Sequence, residues 1–85
     1  MPVKPVMPSA HARFEMRRRA IRMSEMEAVI HNPEQILASK KGRQIFQSRI
    51  DGGRLLLRVI VKEAASVYHV ITAYKTSKVR KYWKS

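Results

Sequence analysis

Apolar positions recur at three- and four-residue intervals in the first third of the chain and at alternate positions beyond it. That change of period predicts helices followed by strands. Ser9 is placed to cap a first helix running to about Arg22, with Ala10, Phe14, Met16 and Ile21 as its apolar contacts. Ser24 and Glu27 have capping-box spacing, and Met23, Met26, Val29 and Ile30 then form a second helical stripe. Asn32-Pro33 ends that helix, because a residue before proline avoids the α region. Gln35 to Ser39 reads as a weak strand and Lys40-Lys41-Gly42 as a turn. Arg43 to Ile50 alternates, and Asp51-Gly52-Gly53 is a strong hairpin signal. Leu55 to Lys62 and Val67 to Lys75 are two further strands, rich in β-branched residues and joined through Ala64-Ala65-Ser66. Thr76 to Ser85 is a basic tail with room for a short helix carrying Val79 and Trp83 on one side.

The expected fold class is therefore α+β: two N-terminal helices packed on a four-stranded antiparallel meander. Strand parity across the Asp-Gly-Gly turn divides the sheet into two faces. Phe46, Ser48 and Ile50 fall with Leu55, Leu57, Val59 and Val61, which makes the core face beneath the helices. Ile45, Gln47 and Arg49 fall with Leu56, Arg58 and Ile60, which makes a half-polar, cationic platform. The last hairpin has two registers. A three-residue loop sets Val70, Thr72 and Tyr74 beside Arg58, and a two-residue loop sets His69 and Ile71 there; a slip of one residue exchanges the faces.

The chain has 85 residues, which is room for one domain. Residues 1–8, with three prolines, read as a flexible lead-in, and residues 9–85 as a single basic domain. A chain of this size buries only about 60 to 65% of its unfolded surface, so the core has to be economical. Charge alters the picture more than size does. Eighteen Lys and Arg face six acids, giving a formal net charge of +12 and a pI near 11.0. Such an excess repels itself in the compact state and is relieved by an anionic partner. RNA or another polyanion fits, since neutralised phosphates release condensed counterions. An acidic protein would mask the same surface. A membrane is the poorest fit, because no apolar run approaches the roughly 20 residues a spanning helix needs. The opening residues lack the apolar stretch of a secretory signal, so a bacterial-type cytoplasm is expected.

Composition excludes several chemistries. There is no cysteine, hence no disulfide or thiolate metal site. Asp51 is the sole aspartate and sits in a turn, so no Ser-His-Asp triad assembles. His11, His31 and His69 lack metal-ligand spacing, the glycines make no phosphate loop, and neither a metal nor a cofactor is expected. What remains suits cleavage of RNA by its own 2′-hydroxyl, which needs proton transfer and cations at phosphorus. Histidine can move the protons and Arg or Lys can stabilise the charge. Each candidate also has a plainer role. His11 suits a helix surface, Arg17 to Arg19 a solvated helix face, Thr72 a strand, and Tyr74 the core edge with its hydroxyl in water. Trp83, between Lys81 and Lys84, can stack on a base or pack against the sheet. Arg58 is the odd one, a cation interrupting an apolar strand.

Read in order, His11-Ala12-Arg13, Met16, Arg19, Ile21 and Asn32-Pro33 resemble the opening of the bacterial domain of unknown function DUF4258. Lys41-Gly42-Arg43, Leu57-Arg58-Val59 and the run from Val70 to Lys78 continue the resemblance, which ends in Lys81-Tyr82-Trp83. That domain is similar to the RelE- and BrnT-like ribonuclease toxins, small basic proteins that cut RNA without metal and are restrained by a cognate antitoxin. The resemblance implies a RelE-like arrangement and singles out His11, Arg13, Arg19, Arg58, Thr72 and Tyr74. Arg18 stands where such domains often carry an acid, so no acid–base role is expected there. Ala20 stands where they often carry glycine, which implies a more regular helix end.

These strands converge on an expected metal-independent endoribonuclease of the toxin type. His11, Arg58, Thr72 and Tyr74 form its catalytic set. Arg13, Arg17, Arg18, Arg19, Lys75, Lys78, Arg80, Lys81 and Trp83 hold RNA, free or on ribosomes, and an antitoxin is the protein partner. A non-catalytic nucleic-acid-binding module and a basic protein docking an acidic partner are the competing expectations.

Overall fold

The computed structural model of the chain describes residues 4–84. Ser9 caps the first helix as its sequence position suggests, its side-chain oxygen accepting from the Ala12 backbone N–H at 3.0 Å. That helix, α1 (Ala10–Arg18), ends earlier than the periodicity implies. Ile21 N–H reaches back to the Met16 carbonyl at 2.8 Å and Ala20 N–H to that of Arg17 at 3.3 Å. Paired bonds of this kind close a helix through a left-handed residue. Ala20 takes that conformation, with φ 55°. The more regular helix end expected from alanine at this position is therefore corrected: the chain keeps the turn that glycine makes cheaply and places alanine in it.

The second helix, α2 (Met23–His31), starts two residues earlier than a Ser24 cap would allow. Glu25 accepts from the Arg22 backbone N–H at 3.0 Å and so satisfies one of the free donors at that end. Asn32 stops the helix before Pro33, as expected.

The sheet differs from a four-stranded antiparallel meander. Four antiparallel strands are present: β2 (Gln35–Ala38), β3 (Gln44–Ile50), β4 (Leu55–Glu63) and β5 (Tyr68–Thr76). A fifth comes from the segment expected to be a flexible lead-in. Val6–Pro8, which we label β1 although it is the shortest, pairs in parallel with β5 in the register Val6 to Tyr68 and Pro8 to Val70. The order is β1-β5-β4-β3-β2, a mixed five-stranded sheet. Pro5 before the three-residue strand and Pro8 within it hid it from the pattern. An edge strand tolerates proline where the missing N–H would face solvent. Of the lead-in, residues 1–3 lie outside the described residues.

Both helices pack on one face. Ala12, Met16, Ile21, Met26, Val29 and Ile30 meet Phe46, Leu57, Val59, Val61, Val70 and Ala73 in one buried cluster. The strand parity set by the Asp-Gly-Gly turn holds: Phe46 lies opposite Val59, Ser48 opposite Leu57 and Ile50 opposite Leu55. The final hairpin follows neither simple register throughout. A shift between Ile60 and Val61 leaves Ile71 without a partner, so Val61 faces Val70 while Ile60 faces Thr72. The bulge lets one strand serve both layers, with Val70 and Ala73 in the core and Thr72 and Tyr74 on the far face.

The far face is covered rather than open, a further correction. A one-turn helix, α3 (Val79–Tyr82), and the residues after it run across it. Leu56, Gln47 and Arg58 are buried there. Among the described residues no helix is long and apolar enough to cross a membrane.

Candidate functional site

Arg58 sits mid-strand in β4, directly opposite Gln47 on β3 and Tyr74 on β5. Only 6% of it is exposed. Its Nε donates to Gln47 Oε1 at 2.9 Å, and its Nη1 donates to the Tyr74 hydroxyl at 2.6 Å. The Tyr82 ring of the tail covers the guanidinium at 4.2 Å from ring centroid to Cζ. No carboxylate among the described residues pairs with Arg58. A buried cation is normally paired with an acid. Here neutral oxygens and aromatic faces stand in its place.

Gln47 ties this centre to the tail. Its Nε2 donates to Gln35 Oε1 at 2.7 Å and to the Tyr82 carbonyl at 3.1 Å. Gln35 in turn accepts from the Lys84 backbone N–H at 3.1 Å and donates to the Lys84 carbonyl. Next along the face, Arg49 lies 4.4 Å from the Trp83 ring centroid. Glu34 holds Arg49 through a bond from Nη2 at 3.0 Å and through the Arg49 backbone N–H. The Arg49 guanidinium keeps the Glu34 carboxyl below its ordinary value, and Glu34 pushes the Arg49 value up.

The sequence-selected residues divide between two sides of the molecule. Arg58, Thr72 and Tyr74 share the tail-covered face, with Thr72 opposite Ile60, two positions along β4 from Arg58. His11 does not join them. It lies on α1, on the opposite side of the sheet, with its side chain 66% exposed and its Nε2 4.0 Å from Glu15. The reason is connectivity, since every core-facing residue of α1 is held against the helical face.

The cations expected to hold RNA are likewise split. Arg18 donates to Glu15 at 2.7 Å, and Arg19 bonds the Ala73 carbonyl at 2.8 Å while also lying near Glu15. The hydrogen bond from Arg18 keeps the Glu15 carboxyl below its ordinary value, helped by the charges of Arg18, Arg19 and His11. Two of the four arginines of that band are thus engaged within the protein. Arg13 and Arg17 line an open cavity with Met16, Ile21 and Met23 on the helical side. Lys75 reaches the Ala20 carbonyl and lies 3.7 Å from Glu25. Lys78, Arg80 and Lys81 edge a separate cavity beside the β3–β4 turn. Gln47, Gln35 and Tyr82 were not among the residues that the sequence singled out. For Gln47 the signal was present: the hairpin register places it opposite Arg58. For Gln35 there was none, and Tyr82 stood only within the resemblance at Lys81-Tyr82-Trp83, because the path of the tail is a tertiary fact.

A family model described as a domain of unknown function, DUF4258, matches residues 9–77. The chain belongs to the DUF4258 family. The matched stretch holds both long helices and strands β2 to β5, and with them Arg58, Thr72 and Tyr74. Strand β1 and the tail that covers Arg58 fall outside it. No curated protein and no solved structure matches the chain. Among the described residues of this DUF4258 protein, no three His, Asp or Glu side chains gather in a way that could hold a metal ion.

Proposed function

We propose that this DUF4258 protein is a metal-independent endoribonuclease of the toxin type, acting on RNA at the tail-covered face of its sheet. The observation that carries the reading is Arg58: a buried guanidinium without an acid partner among the described residues, bonded to the Tyr74 hydroxyl. A guanidinium so placed is suited to the charge that develops on a pentacoordinate phosphorus. The Tyr74 hydroxyl accepts from Arg58 and keeps its own proton to donate. In the reaction the 2′-oxygen attacks phosphorus and the bond to the 5′-oxygen breaks. The 2′-hydroxyl proton passes to water, and the 5′-oxygen gains one from Tyr74, which recovers its proton from water. The products are a 2′,3′-cyclic phosphate and a 5′-hydroxyl. His11 has no place in this centre, so the catalytic set narrows to Arg58, Tyr74 and Thr72.

The reading takes its reaction class from the resemblance of the sequence motifs to RelE- and BrnT-like toxins. It suggests a cognate antitoxin as protein partner, a cytoplasmic setting and substrate met free or on ribosomes. Incubating the protein with mixed RNA in EDTA and mapping the new ends tests the proposal. One observation favours a second reading. The Tyr82 ring lies over Arg58, so a substrate phosphate reaches it only after the tail lifts. If RNA binds tightly and stays intact, with or without ribosomes, the protein is a non-catalytic RNA-binding module.

A further inference from the structure

Away from Arg58, at the end of the sheet where the β3–β4 turn meets the start of the tail, five cations line one open cavity of about 650 Å³. Arg49 and Arg54 come from the hairpin, and Lys78, Arg80 and Lys81 from the tail; Ser77 adds a hydroxyl. Glu34, on Arg49, is the carboxylate engaged there. Among the described residues Arg54, Lys78, Arg80 and Lys81 form no ion pair. Like charges crowded from two segments of chain destabilise the compact state unless an anion sits between them.

The side of the molecule matters as much as the charge. Arg49 is two residues from Gln47 on β3, so it projects from the same face as Arg58. Its guanidinium bears on Trp83, which puts an aromatic ring beside one of the cavity's cations. Cations tracking a backbone beside an aromatic ring are the usual means of holding single-stranded nucleic acid. The cavity is wide and open, which suits a chain of phosphates better than one enclosed ion. The remaining free cations of α1, Arg13 and Arg17, line a different cavity on the helical side.

We propose that the hairpin–tail cavity holds backbone phosphates of a single RNA strand, and that Arg13 and Arg17 are not on its path. The proposal rests on RNA being the ligand, but not on its being cut. Binding of a short fluorescent 2′-O-methyl RNA, which has no free 2′-hydroxyl to attack, separates the two. Two variants remove equal charge: Arg54→Gln with Arg80→Gln, and Arg13→Gln with Arg17→Gln. The cavity pair is expected to weaken binding about tenfold or more and to lower the log–log salt slope by about 1.4, roughly 0.7 per lost phosphate contact. The helix pair is expected to cost about twofold or less and to leave the slope unchanged. Equal losses from the two pairs, or a larger loss from the helix pair, overturn the proposal while leaving any cleavage of RNA unaffected. A wild-type protein that binds no RNA overturns both readings.

Discussion

Ala20 holds a left-handed backbone, φ 55°, where α1 closes on itself through the Met16 and Arg17 carbonyls. Met16 and Ile21, on either side, are both in the buried cluster, so the chain cannot relax without losing core. An L side chain in that conformation costs about 1 to 2 kcal/mol. Glycine escapes this cost but loses more entropy on folding, about 0.5 to 1 kcal/mol. Ala20→Gly is therefore expected to stabilise the protein by up to about 1 kcal/mol, read as a higher urea midpoint at an unchanged slope. A lower midpoint would show that the Ala20 methyl matters more than its backbone. Leu57 is the opposite case, 1% exposed in the same cluster. Leu57→Ala should cost about 2 to 5 kcal/mol, and an unfolding midpoint within error of wild type would refute its place in the core. Its burial was legible, because strand alternation and one hairpin turn fix which way it points. The conformation of Ala20 was not, since it follows from hydrogen bonds to residues three and five positions away.

At the scale of elements, the two helices and four antiparallel strands follow from period and punctuation. The surprises sit where a short segment borrows its structure from a neighbour. Strand β1 has three residues and exists only because β5 offers an open edge. The bulge at Ile71 reconciles two registers that parity treats as exclusive, so Tyr74 reaches Arg58 while Val70 stays in the core. The tail is held at four points: Tyr82 on Arg58, the Tyr82 carbonyl on Gln47, Lys84 on Gln35, and Trp83 on Arg49. Glu34 steadies the last of these through Arg49. A depressed carboxyl value means that the folded state binds fewer protons than the unfolded chain. The stabilisation is then complete above the unfolded glutamate range, about 4.3. It is lost as pH falls through the lower folded-state value. Glu34→Gln should be less stable than wild type at neutral pH and should lose less on acidification to about pH 3.5. Parallel stability profiles for the two proteins would show that the pair contributes nothing to holding the chain.

Across the whole molecule the charge of +12 is divided rather than spread. Acids on the helical side engage Arg18, Arg19 and Lys75, while the hairpin–tail side keeps most of its cations free among the described residues. For the polyanion proposed as ligand, composition cannot say which side meets it, because the faces exist only once the tail has been placed. The proposed function requires that the tail-covered face, through Arg58, does chemistry on RNA rather than merely holding it. Arg58→Lys tests this most directly, since it keeps the charge and alters the guanidinium geometry on which Gln47 and Tyr74 depend. Cleavage of RNA in EDTA is measured for both proteins, with affinity for 2′-O-methyl RNA and thermal unfolding followed alongside. The wild type is expected to leave 2′,3′-cyclic phosphate ends. For the folded variant the expected result is a loss of cleavage of about 10² to 10³ at nearly unchanged affinity, the scale of removing one positioned donor to a developing oxyanion. A wild type that leaves the RNA intact, or a variant that cuts as fast as the wild type, would contradict the proposed function.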